Sequence, residues 1–432
     1  GNLYELTIKR NADGTPDYED AMRQYSGLYK AIRQGKVQAT YAIGFGGILE
    51  AVSKMAFGNE VCIRLNDELP LQELAHRSYG NIVVLAESDD QPFRCREIGE
   101  VLIDEKTTIA YRGEEVEMEE ALKAWTAPLE GVFPTASSSP AQHEQVDHLE
   151  DYDYEAKDIY ICKHKVARPK VFIPAFPGTN CEYDSARAFE RAGADVETIV
   201  FRNMNDRLII DSLNAYERAI KESQIIMIPG GFSAGDEPEG SAKFITSVFR
   251  NSRVADAVME LLNKRDGLML GICNGFQALV KLGLVPYGEI RPQDTDSPTL
   301  TFNTIGRHQS KIAYTRVVSN LSPWLRGTDP EEIYAVPISH GEGRFVASSE
   351  WIETLFSNGQ VATQYVNLNG IPTMDERFNM NGSYEAIEGI TSPDGRVFGK
   401  MAHSERRSDG TYLNVPGEQD QRIFESGVEY FK

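Results

Sequence analysis

The stretch Leu268-Met269-Leu270-Gly271-Ile272-Cys273-Asn274-Gly275-Phe276-Gln277 decides the fold. An apolar run of strand character ends in Gly-Ile-Cys-Asn-Gly, and a helical pattern follows at once. Strand, sharp turn and helix, with a thiol on the turn, form an elbow that lifts a nucleophile clear of a sheet. The N–H groups opening the next helix favour thiolate over thiol. Cys273 is therefore the candidate nucleophile. The rest of the chain must provide a base, oxyanion donors and a substrate.

Upstream of the elbow, strands and helices alternate from Pro169 onward. Strands are predicted over 171–174, 196–201 and 225–228, with helices over 185–192 and 213–223 and one long helix over 244–262. This alternation predicts an α/β unit with an open, mostly parallel sheet flanked by helices, whose ligands sit at the carboxyl ends of the strands. Two glycine-rich turns, Pro177-Gly-Thr-Asn-Cys181 and Pro229-Gly-Gly-Phe-Ser233, fall at such ends, as does Cys273. After Ser297 short strands dominate; the last, over 397–402, runs into His403-Ser404-Glu405, and a helix over 419–430 closes the chain.

The first 130 residues read as a separate small α+β unit: a polar opening to about 25, a short helix over 25–33, and strands over 81–86, 95–103, 107–111 and 115–118. Tyr41-Ala-Ile-Gly-Phe-Gly-Gly47 opens a helix over 48–57, and close packing explains its glycines better than a phosphate cradle does. Residues 131–166 carry a Ser/Pro cluster and an acidic run, and read as an interdomain linker ahead of a domain over 167–432.

The 432 residues allow two or three domains, and 41% hydrophobic with 25% charged residues is an ordinary globular balance. The formal charge, 44 − 65 = −21, opposes a nucleic-acid backbone or an anionic membrane as partner. No apolar run is long enough to span a bilayer and no leader is apparent, which predicts a cytoplasmic protein. The chain opens on Gly rather than Met, as a processed or shortened chain would. Five widely spaced cysteines (62, 95, 162, 181, 273) without a Cys-x-x-Cys pair, and seven histidines without ligand spacing, suggest neither a disulfide framework nor a metal site.

A thiol nucleophile needs a base, and the base an orienting group. His403 ends a strand, and Glu405 two residues on would share its direction in an extended segment. His403 is therefore the expected base and Glu405 its partner. His340, in Ser339-His-Gly-Glu-Gly-Arg-Phe345, has Glu342 at the same offset and is the runner-up, though its glycines suggest a backbone bed for a ligand. The N–H of Asn274 and the Gly230-Gly231-Phe232 turn are the expected oxyanion donors. Cys62, Cys95 and Cys162 read as buried and inert. Cys181 lies on a loop at a strand end and reads as structural, although it is placed to approach the site.

Pro229-Gly-Gly-Phe-Ser, Gly271-Ile-Cys-Asn-Gly-Phe-Gln277 and His403-x-Glu405 together resemble a class I glutamine amidotransferase. Pro177-Gly-Thr-Asn-Cys-Glu182, Gly231-Phe-Ser-Ala-Gly-Asp236 and Ser339-His-Gly-Glu-Gly-Arg-Phe345 are similar to the glutaminase domain of phosphoribosylformylglycinamidine synthases of de novo purine synthesis, over about 169–432. The resemblance implies glutamine hydrolysis through a thioester on Cys273, with Gly231 and Asn274 as the oxyanion hole. It implies glutamine contacts from Gly230, Phe232, Gln277, Ser339, His340 and Gly341, and an Asn303-x-x-x-Arg307 pattern of unassigned role. The triad segment often reads His-Pro-Glu in that family; here Ser404 stands in the middle. Residues 36–130 resemble the end of the synthetase half, an aminoimidazole-ribonucleotide-synthetase-like domain, but the usual Asp-x-x-Asp-Gly-Gly turn is Ala42-Ile-Gly-Phe45-Gly-Gly. No cofactor is expected on this chain; ATP and magnesium would sit on the remainder of the synthetase half, its implied partner, as in a large single-chain synthase. A related peptidase or deglycase, or a catalytically silent docking fragment, are the competing readings.

Overall fold

The computed structural model describes residues 1–432 except 60, 104–105, 138–151, 234–240 and 414. The chain divides into two compact units, Gly1–Thr135 and Ala136–Lys432. No helix among the described residues is long and apolar enough to cross a membrane.

The first unit is built on a seven-stranded sheet ordered Val37–Ala42, Ile82–Ala86, Asn2–Leu6, Cys95–Leu102, Cys62–Leu65, Thr108–Tyr111, Glu114–Glu117. The strand Asn2–Leu6 departs from the polar opening read in the sequence. It lies inside the sheet, with Leu3 on one apolar cluster and Tyr4 and Leu6 on the other. Glu5 hides the pattern; it is buried, and is held by Arg96 Nε at 2.6 Å and Asn81 Nδ2 at 2.7 Å. The helix expected over 25–33 begins earlier, at Tyr18, where the Asp17 side chain accepts the Asp20 N–H as an N-cap. In the glycine-rich turn, the Glu50 carboxylate accepts the Gly46 N–H at 2.6 Å, in the place a phosphate cradle would leave open.

The second unit carries a nine-stranded sheet. In order across it lie Ile333–His340, Gln309–Val317, Val361–Tyr365, Ile387–Thr391, Val397–Lys400, Leu268–Ile272, Ile225–Ile228, Lys170–Ala175 and Asp195–Val200. The last five are mutually parallel, and the first four extend the sheet in antiparallel fashion. This is the α/β sheet flanked by helices. The apolar strands Ile225–Ile228 and Leu268–Ile272 are wholly buried, as parallel strands covered on both faces must be.

Three local expectations change. The long helix over 244–262 is two helices, Lys243–Phe249 and Ser252–Lys264, because Asn251 caps the second by accepting the Arg253 N–H. A helix, Ser349–Ser357, stands among the short strands of the last third, capped by Ser348. Part of the linker expected over 131–166 is packed onto the second unit. Tyr152 OH donates to Phe356 O at 2.8 Å, Tyr160 OH to Asp266 Oδ1 at 2.8 Å, and Cys162 joins the core. Aromatic residues among the acids allow this. Residues 138–151 of that stretch, and 234–236 of the 231–236 motif, lie outside the described residues.

The elbow helix, Asn274–Leu282, lies hard against the neighbouring strand. A Cβ on Gly275 would stand 1.9 Å from Ile228 O, a backbone atom that cannot yield. Gly275→Ala is expected to cost about 3 kcal/mol by overpacking, read as a lowered urea midpoint at unchanged slope.

Candidate active site

Four adjacent parallel strands deliver the site. Lys170–Ala175 leads to Cys181, Ile225–Ile228 to Gly230 and Gly231, Leu268–Ile272 to Cys273, and Val397–Lys400 to His403. All four leave the sheet at carboxyl ends, where parallel α/β sheets place their ligands.

Cys273 has φ 54° and ψ −109°, a strained conformation for a residue with a side chain. Its N–H donates to Lys400 O at 2.8 Å, and its carbonyl accepts the Gln277 N–H at 3.0 Å, starting the helix. The sulfur lies 3.7 Å from Ser339 O. Burial pushes the thiol up to about 12, and Cys181 and Glu405 push the same way. The Arg406 guanidinium and the Asn274 backbone N–H pull it down without overcoming burial. The resting nucleophile is thus a protonated thiol.

His403 Nδ1 bonds Glu405 Oε1 at 2.6 Å, with both side chains buried. Burial pushes the Glu405 carboxyl up, but His403 beside it, together with a backbone N–H and the Arg406 guanidinium, outweighs burial and holds it below the usual carboxylate range. The contact matches expectation while its reason differs. Residues Ser404–Arg406 form a 3-10 turn, so Glu405 reaches His403 by folding back. Buried His403 Nε2 has no hydrogen-bond partner among the described residues.

Gly230 faces all of these groups. A Cβ there would stand 2.8 Å from His403 Cε1, 3.1 Å from Cys181 Sγ and 3.4 Å from Cys273 Cβ. The two glycine-rich turns bridge each other, Asn180 N–H donating to Gly230 O at 3.3 Å and Phe232 N–H to Gly178 O at 2.9 Å. Gly231 has φ 145°, and a Cβ on it would meet the Gly178 carbonyl at 2.7 Å.

A cavity of about 240 Å³ opens beside the thiol. Its lining brings Gly231, Phe232, Cys273, Gln277, His340 and Gly341 together. Phe232 is half exposed at its edge. The Gln277 amide is tied on both sides, accepting from Asn274 Nδ2 at 2.9 Å and donating to Glu342 O. Ser339 is present through its carbonyl near the sulfur, and its hydroxyl bonds His308 Nε2 at 3.1 Å.

Asn303 and Arg307 acquire a structural place. Asn303 Nδ2 donates to His340 O at 2.9 Å and to Arg307 O at 3.0 Å. Its Oδ1 is therefore the acceptor facing His340 Nδ1 at 3.2 Å, which puts the proton of that ring on Nδ1. Burial pushes His340 down to about 3, with His403 and His308 adding to the effect, so it stays neutral.

The sequence reading undervalued Cys181 and omitted Arg406. Cys181 Sγ lies 3.9 Å from His403 Nδ1 and accepts from Arg406 Nη2 at 3.2 Å. Only the position of Arg406 next to Glu405 in the sequence could have signalled it. Ligand atoms of Cys181, His403 and Glu405 gather within 4.8 Å, the one potential metal-binding group among the described residues. Two of the three are bonded to each other, so the group reads as a His–Glu dyad with a neighbouring thiol. Cys62 and Cys162 are buried as expected, whereas Cys95 is half-buried.

Residues 168–431 match the sequence profile of the CobB/CobQ-like glutamine amidotransferase domain. The chain belongs to that family. A phosphoribosylformylglycinamidine synthase subunit PurQ of Methanococcus maripaludis is 32% identical over 286 residues, covering 61% of this chain and 97% of the relative. The PurQ subunit of Chlorobaculum tepidum is 33% identical over 256 residues, covering 59% and 94%. Among solved structures, one described as PurLQS from Thermotoga maritima is similar, with a TM-score of 0.45 and 26% identity, over 61% of this chain and all of that one.

The raised thiol has a measurable consequence. Alkylation of Cys273 by iodoacetamide is expected to climb about tenfold per pH unit between about pH 7 and 10, because thiolate is the reactive form and is scarce throughout. A plateau across that range would mean a thiolate already formed in the resting site.

Proposed function

We propose that this glutamine amidotransferase is the glutaminase of a phosphoribosylformylglycinamidine synthase. One observation carries the mechanism: the His403–Glu405 pair at 2.6 Å leaves buried Nε2 without a partner among the described residues, on a ring whose Cε1 faces Gly230 alongside Cys273. Cys273 attacks the side-chain amide carbon of glutamine, and its proton passes to His403 Nε2. The developing oxyanion is met by the N–H groups of Gly231 and Asn274. His403 returns the proton to the amide nitrogen, the C–N bond breaks, and ammonia leaves a γ-glutamyl thioester. Water then gives a proton to His403 and attacks the thioester, the C–S bond breaks, and glutamate departs as Cys273 recovers its proton. Glu405 fixes the imidazole tautomer and stabilises the imidazolium. Gly230, Phe232, Gln277, Ser339, His340 and Gly341 form the bed for the substrate.

In this proposal the ammonia passes, in the cytoplasm, to a synthetase partner that uses ATP and magnesium to amidate formylglycinamide ribonucleotide. The finer reading is that the chain is the C-terminal portion of a large single-chain synthase. Residues 1–130 would then end the synthetase half, and 131–166 would lead into the glutaminase domain. What supports it is an additional α+β unit, Gly1–Thr135, ahead of the 168–431 family match.

An electrophilic glutamine analogue, with the adduct mapped by mass spectrometry, tests the core of this reading. Labelling is expected at Cys273 and lost in Cys273→Ala; an adduct at another residue overturns the assignment. His403→Ala is expected to lower the rate of thioester formation by about 10³-fold. His340→Ala should instead raise KM for glutamine by about tenfold with kcat little changed. Exchange of these two phenotypes would exchange the roles of the histidines.

A further inference from the structure

The residues flanking His403 are held by one buried ammonium. Lys400 ends the strand Val397–Lys400, and both it and Glu388 are fully buried. Lys400 Nζ donates to Ala402 O at 3.1 Å and to Ser404 Oγ at 3.0 Å, and lies 3.6 Å from Glu388 Oε1. Glu388 Oε1 accepts the Ala402 N–H at 2.7 Å, and Thr363 Oγ1 donates to its other oxygen. Both backbone groups of Ala402 are thus tied to the same ion pair. Ser404 Oγ in turn donates to Gln421 Oε1. The residue before the base and the residue after it are anchored to one nitrogen. The carbonyl of Lys400 accepts the Cys273 N–H.

We propose that Lys400 is a positioning residue for the reaction, setting the His403–Glu405 turn against the elbow through its side chain on one and its carbonyl on the other. The proposal rests on the glutaminase reading. A buried ion pair is weak support for stability, because apolar residues of the same volume often hold a core as well or better. Holding the imidazole in register is a different matter, since a displacement of about 1 Å can cost about 10²-fold in rate. Both carboxylate oxygens of Glu388 and the Lys400 ammonium are engaged in bonds that fix backbone or side-chain geometry at this turn.

The test uses the full chain and a chloroketone analogue of glutamine, whose inactivation kinetics separate binding (KI) from the chemical step (kinact) without need of a partner. Lys400→Met is expected to lower kinact at least about tenfold, with KI within about twofold. Ser404→Ala, which keeps the ion pair and cuts one tether, should lower kinact about threefold at unchanged melting temperature. Rates are normalised to the folded fraction. Wild-type kinact in both variants, or a loss confined to KI, overturns the proposal. If Lys400→Met does not fold, wild-type kinact in Ser404→Ala alone overturns it. Failure of the wild-type protein to label at Cys273 would instead overturn the glutaminase reading, and this proposal with it.

Discussion

The hydrogen bond from Cys273 N–H to Lys400 O at 2.8 Å is the constraint on which the site depends. It is made by a residue in a sparsely populated backbone region, which costs about 1–3 kcal/mol and persists only where the surroundings over-determine it. Here they do. The N–H is taken by the neighbouring strand, the carbonyl by Gln277 in the first helical turn, and the helix cannot back away while Gly275 rests on Ile228. The thiol therefore projects from the sheet at the end of the strand paired with the one that carries His403.

Burial acts differently on the groups gathered there. At Cys273 it prevails, and the thiol keeps its proton. At Glu405 it is outweighed by His403, a backbone N–H and Arg406 acting together, and the carboxylate keeps its charge. At His340 it is reinforced by two other histidines, and the ring remains neutral. A buried site of this kind holds one charged acceptor, placed where the imidazole needs orientation, and leaves the nucleophile neutral until a base takes its proton. Arg406 favours the negative charge that burial disfavours, at both Cys181 and Cys273.

Much of this was legible before the structure. The elbow showed in the change from an apolar run to a glycine turn and a helical pattern, and the parallel part of the sheet in the alternation from 169 onward. Reading failed where a polar residue took an interior place or a cap was overlooked. Glu5 masked the strand Asn2–Leu6, and Asn251 divided a helix whose apolar period runs on across the break. The expected linker looked unable to bury anything, yet Tyr152 and Tyr160 pack against the core of the second unit and Cys162 joins it. His403 and Glu405 were paired on the assumption of extended backbone, and a 3-10 turn brings them together instead.

By itself, the sequence determined the elements and the chemical types. It specified a thiol on an elbow, two glycine turns at strand ends, and a histidine followed by a carboxylate, because hydrophobic period and turn residues are local properties. Only the tertiary structure decided which strands are neighbours. The pairing of Val397–Lys400 with Leu268–Ile272 joins residues more than a hundred positions apart and sets the base beside the nucleophile. The same packing assigned Cys181 to the site, fixed the His340 tautomer through Asn303, and buried Lys400 with Glu388. These depend on long-range contacts and on desolvation, and no local pattern of residues encodes either.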